Sequence, residues 1–133
     1  MSEVLIDTSV WVEFFREPNS NWAKTVELLL GEKRVCTTPL VMVEVISGAR
    51  NRAEFLRLKR DFEALPCLEP PADLWDQLLE SRWQLKSRGI AGVSIPDLII
   101  AHTARAHQKI IFTRDRDFQR IQSFLDLKLF ELS

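Results

Sequence analysis

Val4-Leu5-Ile6-Asp7-Thr8-Ser9-Val10-Trp11 is the stretch on which the fold turns. Its three apolar residues form a short uninterrupted run, the pattern of a buried strand. The run stops at Asp7-Thr8-Ser9, side chains whose oxygens cap the exposed N–H groups of a helix start. Val10, Trp11, Phe14 and Phe15 then recur at helical spacing.

Outward from this point the alternation of strand and helix repeats. Asn19 to Asn21 is turn-forming, and Trp22, Val26, Leu29 and Leu30 mark an amphipathic helix ended by Gly31. Arg34-Val35-Cys36-Thr37 predicts a second strand. Pro39 suits a helix start, with Leu40, Val43, Ile46 and Ala49 along one face, although the β-branched run Val41 to Ile46 also fits a strand. A helix is expected over Glu54–Leu65, then a short strand around Cys67 and Leu68, bracketed by Pro66 and Pro70-Pro71. Leu74–Lys86 predicts a long helix, and Ser87–Ser94, with Gly89 and Gly92, a loop. Ser94-Ile-Pro-Asp97 has the form of a capping box ahead of a helix over Leu98–His107. A strand over Lys109–Thr113, a helix over Asp115–Phe124 and an edge strand over Lys128–Leu132 complete the chain. Strands alternating with helices imply an α/β fold: one domain over residues 1–133, with a mostly parallel sheet of four to five strands covered on both faces.

The 133 residues, 46% of them hydrophobic, suffice for one core. Net charge is −1, so no global basicity announces a polyanion partner. That balance hides a possibility, because acids neutralised by bound cations would leave the remaining surface net positive. No apolar run is long enough to cross a membrane. Glu3 and Asp7 fall where a secretion signal would carry basic and then unbroken apolar residues. A cytoplasmic location is the expectation. Cys36 and Cys67 match no metal-binding spacing and read as reduced core thiols.

The acids carry the chemistry. Asp7 directly follows the first strand, and Asp115 comes two residues after the strand ending near Phe112-Thr113. Ligands of open α/β sheets sit beyond the carboxyl ends of the strands, so Asp7 and Asp115 share one edge if their strands are neighbours. Glu44 lies inside Leu40-Val-Met-Val-Glu-Val-Ile46, and Asp97 precedes Leu98-Ile-Ile-Ala101. A carboxylate in such company is costly unless exposed, paired or bound to a cation. Converging carboxylates raise one another's pKa until a cation separates them. Hard oxygen ligands suit Mg²⁺ or Mn²⁺, ions that activate water and polarise phosphodiesters without a histidine base. From spacing alone a plainer reading stands beside this one. Asp7 and Asp97 also serve as helix caps, Asp115 and Asp117 as favourable charges at a helix N-terminus, and Glu44 as a solvated side chain.

Four motifs in order, Ile6-Asp-Thr-Ser-Val-Trp11, Thr38-Pro-Leu-Val-Met-Val-Glu44, Ile95-Pro-Asp-Leu-Ile-Ile-Ala101 and Phe112-Thr-Arg-Asp-Arg-Asp-Phe118, resemble the PIN-domain family. The likeness is greatest to the VapC-type ribonuclease toxins and spans nearly the whole chain. It implies that the family's acidic positions fall on Asp7, Glu44, Asp97 and Asp115. Asp117 matches an auxiliary acid, and Ser9 and Thr113 match hydroxyls that support the first and last aspartates. The resemblance further implies Mg²⁺- or Mn²⁺-dependent RNA cleavage by an activated water, a homodimer, and a cognate antitoxin that blocks the groove.

The remaining signals are weaker. Arg114 and Arg116 flank Asp115 and are candidate phosphate contacts, with Arg120 nearby. Arg82, Lys86 and Arg88 form another basic group. Arg50, Arg52, Arg57, Lys59 and Arg60 read as a solvated helix face, and the loop ahead of Asp97 as a connector or a substrate-contacting segment. His102 and His107, five residues apart, do not share a helix face and read as structural. The four tryptophans read as core or dimer-interface residues. Two other functions compete. A haloacid-dehalogenase-type phosphatase needs D-x-D after the first strand, where this chain has Asp7-Thr8-Ser9. A non-catalytic RNA- or ion-binding module needs only the acidic pocket.

Overall fold

A computed structural model describes residues 2–132. The elements run β1 (Val4–Ile6), α1 (Thr8–Arg16), α2 (Asn21–Gly31), β2 (Val35–Cys36), α3 (Pro39–Ile46) and α4 (Arg52–Glu63), followed by α5 (Leu74–Ser87), α6 (Ile95–Ala106), β3 (Ile110–Phe112), α7 (Asp117–Ile121) and β4 (Lys128–Leu129). The four strands form one sheet in the order β2-β1-β3-β4. Every pairing is parallel, with Val4 opposite both Val35 and Ile110, and Ile6 opposite Phe112. The expected α/β architecture is therefore present, at the lower end of the expected strand count.

Burial explains the sheet's centre. Val4, Leu5 and Ile6 are fully buried, as are Ile111 and Phe112 beside them. A strand covered on both faces has no polar side to alternate with. Phe112 stacks on Trp22, with ring centroids 5.6 Å apart, and packs against Phe130 at 4.9 Å. Trp11 anchors α1 against Phe62 of α4 at 4.8 Å.

Several elements differ from expectation, each for a local reason. The run Val41 to Ile46 is helical, because Thr38 Oγ1 caps Val41 N–H at 3.2 Å and Pro39 occupies the first turn. The buried residues of α3 are Val41, Val45 and Ile46, whereas Val43, expected on the inner face, is 63% exposed. α7 starts at Asp117, not Asp115. Before it, Asp115 N–H donates to Thr113 Oγ1 and Asp117 N–H to Asp115 Oδ1, both at 2.9 Å. Those side-chain bonds satisfy the backbone without helix. Around Cys67 there is only an isolated bridge to Thr37, and β4 ends at Leu129.

Cys36 is buried, and burial pushes its thiol up to about 12. Cys67 is exposed rather than a core residue; its thiol too is raised, by desolvation and then by Glu69. Neither thiol is poised as a nucleophile. His102 is buried and shares a 2.6 Å hydrogen bond with Ser81, tying α6 to α5. Burial, then Arg105, holds its pKa below the ordinary value, so the ring is neutral near neutral pH. His107 Nε2 donates to the Glu69 carbonyl at 2.9 Å. Both histidines are thus structural. The basic residues in and just before α4 are largely spent on their own surface: Arg50 pairs with Glu54, Lys59 with Glu63, and Arg52 lies over Phe55. Of the tryptophans, Trp11 is core and Trp22 half-buried, while Trp75 and Trp83 stand exposed on α5. Among the described residues no helix is long and apolar enough to cross a membrane.

Candidate active site

The site begins where β1 ends. Asp7 N–H donates to the Phe112 carbonyl at 2.9 Å, closing the ladder with β3. The Asp7 side chain, only 3% exposed, then turns back as the cap of α1. Its Oδ2 accepts three hydrogen bonds: from Ser9 N at 3.3 Å, Ser9 Oγ at 2.7 Å and Thr113 Oγ1 at 2.9 Å. Among the described residues none is made to Oδ1. A carboxylate gripped by one oxygen keeps its orientation while the other stays available.

Ser9 and Thr113 join the two strand ends. Ser9 Oγ accepts from Arg114 N at 3.0 Å while donating to Asp7. Thr113 Oγ1 accepts from Asp115 N at 2.9 Å while donating to the same Asp7 oxygen. The backbone of the segment carrying Asp115 is thereby registered against Asp7, a residue over a hundred positions earlier. Because β1 and β3 are adjacent and parallel, both acids lie at the carboxyl edge of the sheet.

Asp97 arrives from the first turn of α6, where its N–H donates to Ser94 Oγ at 3.2 Å. Oxygens of Asp97, Asp115 and Asp117 lie within 4.8 Å of one another. Ser94, not Asp97, is therefore the cap of α6, and the Asp97 carboxylate is left to the acidic group. Burial is the first cause that pushes the Asp97 carboxyl up to about 7, and the charges of Asp115 and then Asp7 are the next. Asp7 is close enough to be felt there, but does not join the tight triple. Glu44 is exposed on α3 and lies outside the triple; its tie toward Asp7 is the Thr8 hydroxyl, which donates to Oε1 at 2.7 Å. Sequence reasoning passed over Thr8, whose signal is only that it follows Asp7; it also ranked Asp117 below its position in the triple.

The donor set fits a hard divalent cation. It consists of carboxylate oxygens from segments distant in sequence, with no thiolate or imidazole among them. Burial, and after it the charges of Asp115 and Asp7, raise the Asp97 carboxyl, and a cation among these oxygens relieves the repulsive part.

Basic groups flank the cluster. Arg114 pairs with Glu13 Oε2 at 2.6 Å, its guanidinium 5.4 Å from the centre of the Trp22 ring. Arg116 is exposed. Both line a cleft of about 620 Å³ that includes Thr113 and Asp115. A second, more apolar groove of about 650 Å³ runs between α1 and α4, with Trp11, Phe15, Leu58 and Phe62 in its walls and Glu44 at its margin. Trp11 Nε1 is buried there without an acceptor among the described residues.

Known proteins are similar to this chain. The PIN domain family matches residues 4–123. Ribonuclease VapC11 of Mycobacterium tuberculosis is 33% identical over 128 residues, covering 94% of this chain and 96% of its own. Ribonuclease VapC51 of the same organism is 32% identical over 117 residues, covering 88% and 83%. Among solved structures, VapBC-1 from nontypeable Haemophilus influenzae superposes with a TM-score of 0.76 at 22% identity, over 97% of each chain. With four ordered motifs, an all-parallel sheet and acids gathered at its carboxyl edge, the chain belongs to the PIN-domain family, among its VapC-type ribonucleases.

Proposed function

We infer that this protein is a divalent-cation-dependent endoribonuclease and the toxin of a toxin–antitoxin pair, working in the cytoplasm. The observation that carries the reading is the convergence of Asp97, Asp115 and Asp117 beside a gripped Asp7, with the Asp97 carboxyl raised to about 7. Asp7, Asp97 and Asp115 are the proposed ion ligands, with Glu44 completing the acidic set from α3. When bound, Mg²⁺, or Mn²⁺ in its place, supplies Lewis acidity toward phosphate oxygens and toward water. Everything else is the work of the chain. Ser9 and Thr113 hold Asp7 in one rotamer, and Thr113 fixes the backbone of Asp115. Asp97, protonated in part near neutral pH in the ion-free protein, gives up that proton as the site loads. Arg116, exposed beside Asp115, and Arg114, shared with Glu13, attract the RNA backbone.

The curated relatives are named ribonucleases, which supports RNA as substrate. Several structural neighbours are VapBC complexes, and the apolar groove beside Glu44, with its unpartnered Trp11 N–H, supports a peptide segment of an antitoxin as partner. Trp75, Leu79 and Trp83, each over 60% exposed along one stripe of α5, support a homodimer.

Purified protein incubated with RNA and Mg²⁺ or Mn²⁺ is expected to cut it at internal sites. EDTA should stop the reaction, and a phosphate monoester should remain intact. RNA left whole with either ion would overturn the reading.

A further inference from the structure

Residues 88–94 lead from the end of α5 to the Ser94 cap, directly ahead of Asp97. Gly89 and Gly92 both take positive φ, +69° and +86°, where a side chain would be strained. The segment has no strand or helix of its own: the Gly89 and Ile90 N–H groups reach back to α5 carbonyls at 3.1 and 2.9 Å, and Val93 is buried. Two guanidinium groups hold carbonyls farther along it. Arg82 Nη1 donates to the Val93 carbonyl at 2.8 Å. From α7, Arg120 Nη2 donates to the Ala91 carbonyl, while its Nη1 donates to Asp117 Oδ1 at 3.0 Å. Asp117 is in turn bonded through its N–H to Asp115 Oδ1 at 2.9 Å.

We propose that Arg120 is a positioning residue of the cation site, spanning with one planar fork the loop that delivers Asp97 and the carboxylate of Asp117. The inference rests on the cation reading above. A partly exposed ion pair three residues apart on a helix contributes little alone. What distinguishes this one is the second arm, fixed to a backbone carbonyl 29 residues away. A pre-organised guanidinium serves two acceptors at once, whereas a lysine ammonium is a point donor on a flexible stem. The fork sets the spacing between the two sides of the acidic triple: Asp97 on α6, and Asp117 at the start of α7 with Asp115 just before it.

The test compares the full chain with Arg120→Gln, Arg120→Lys, Asp117→Asn and the Arg120→Gln/Asp117→Asn double variant. Three quantities are read without RNA: Mn²⁺ affinity by electron paramagnetic resonance, melting temperature, and amide exchange at residues 89–93. Arg120→Gln is expected to weaken Mn²⁺ binding by about tenfold or more, as loss of an outer-shell partner does, and to speed exchange in the loop. Arg120→Lys should restore only part of the affinity. Asp117→Asn should weaken Mn²⁺ binding similarly yet leave the loop protected, because the bond to Ala91 survives. The double variant should bind about as weakly as Asp117→Asn. Folded Arg120→Gln that binds Mn²⁺ within about twofold of the parent overturns the proposal. If that variant melts too low to assay, unchanged affinity in Asp117→Asn overturns it instead. A parent that takes up no Mn²⁺ sinks the cation reading together with this one, whereas a parent that binds as well as its variants sinks this one alone.

Discussion

Asp97→Asn abolishes RNA cleavage and, in the ion-free protein, raises the melting temperature above the parent's at mildly alkaline pH. The two effects have one cause. The Asp97 carboxyl is raised from 3.8 to about 7 by burial and by Asp115 and Asp7. A carboxyl whose folded pKa lies above its unfolded one favours the folded state while protonated. That contribution is complete below the unfolded value and is lost as pH rises through about 7. Above it the ion-free parent carries an ionised carboxylate among others, and the neutral amide does not. The stability difference should therefore shrink as pH is lowered from about 8 to about 5. Saturating Mg²⁺ should reverse the order, because the ion stabilises whichever chain binds it better. Cleavage should fall by more than about a hundredfold, beyond what losing an outer-shell partner costs. Thermal scans in EDTA and in Mg²⁺, with initial rates on RNA, check each part. A variant that cuts at the parent's rate would remove Asp97 from the site, and one less stable in EDTA would remove the repulsion.

Phe112→Ala is the substitution expected to cost most in stability. Phe112 is fully buried, stacked on Trp22 and packed on Phe130. Truncation of such a ring costs about 3–5 kcal/mol through lost transfer energy and the cavity left behind. Against a total of about 5–15 kcal/mol for a typical domain, that is enough to leave much of the chain unfolded at physiological temperature. Phe112 also accepts the Asp7 N–H through its carbonyl. That carbonyl is backbone and survives in the variant, so the change expected in folded protein is a lowered urea midpoint. A midpoint unchanged from the parent would mean that this ring does not anchor the sheet to α2.

Much of this was legible from residues alone, where one physical rule dominated. β1 was readable because three consecutive apolar residues before a capping triplet fit only a strand buried on both faces. The adjacency of β1 and β3 was expected only conditionally, since pairing depends on contacts between residues far apart in sequence. Once it is present, Asp7 and Asp115 meet at one edge. α3 was ambiguous because its β-branched composition opposes helix, and a cap at Thr38 with tertiary burial of Val41 and Val45 outweighed it. Its inner face was misjudged for the same reason: an apolar run on every side carries no phase, and Val43 faces solvent. The start of α7 slipped by two residues because Thr113 and Asp115 spend their side chains on neighbouring N–H groups. Asp7, Asp97 and Asp115 stood out as acids bordering apolar runs. The bridging roles of Thr8 and Arg120 left no such mark, since each is a distance between elements that spacing does not encode.

The most direct measurement is anomalous diffraction from crystals of the protein loaded with Mn²⁺. The expected result is a peak bounded by Asp97 and Asp115, within ligand reach of the free oxygen of Asp7, and absent from Asp97→Asn crystals. A peak elsewhere on the surface, or a loaded crystal whose acidic triple holds no ion, would contradict it.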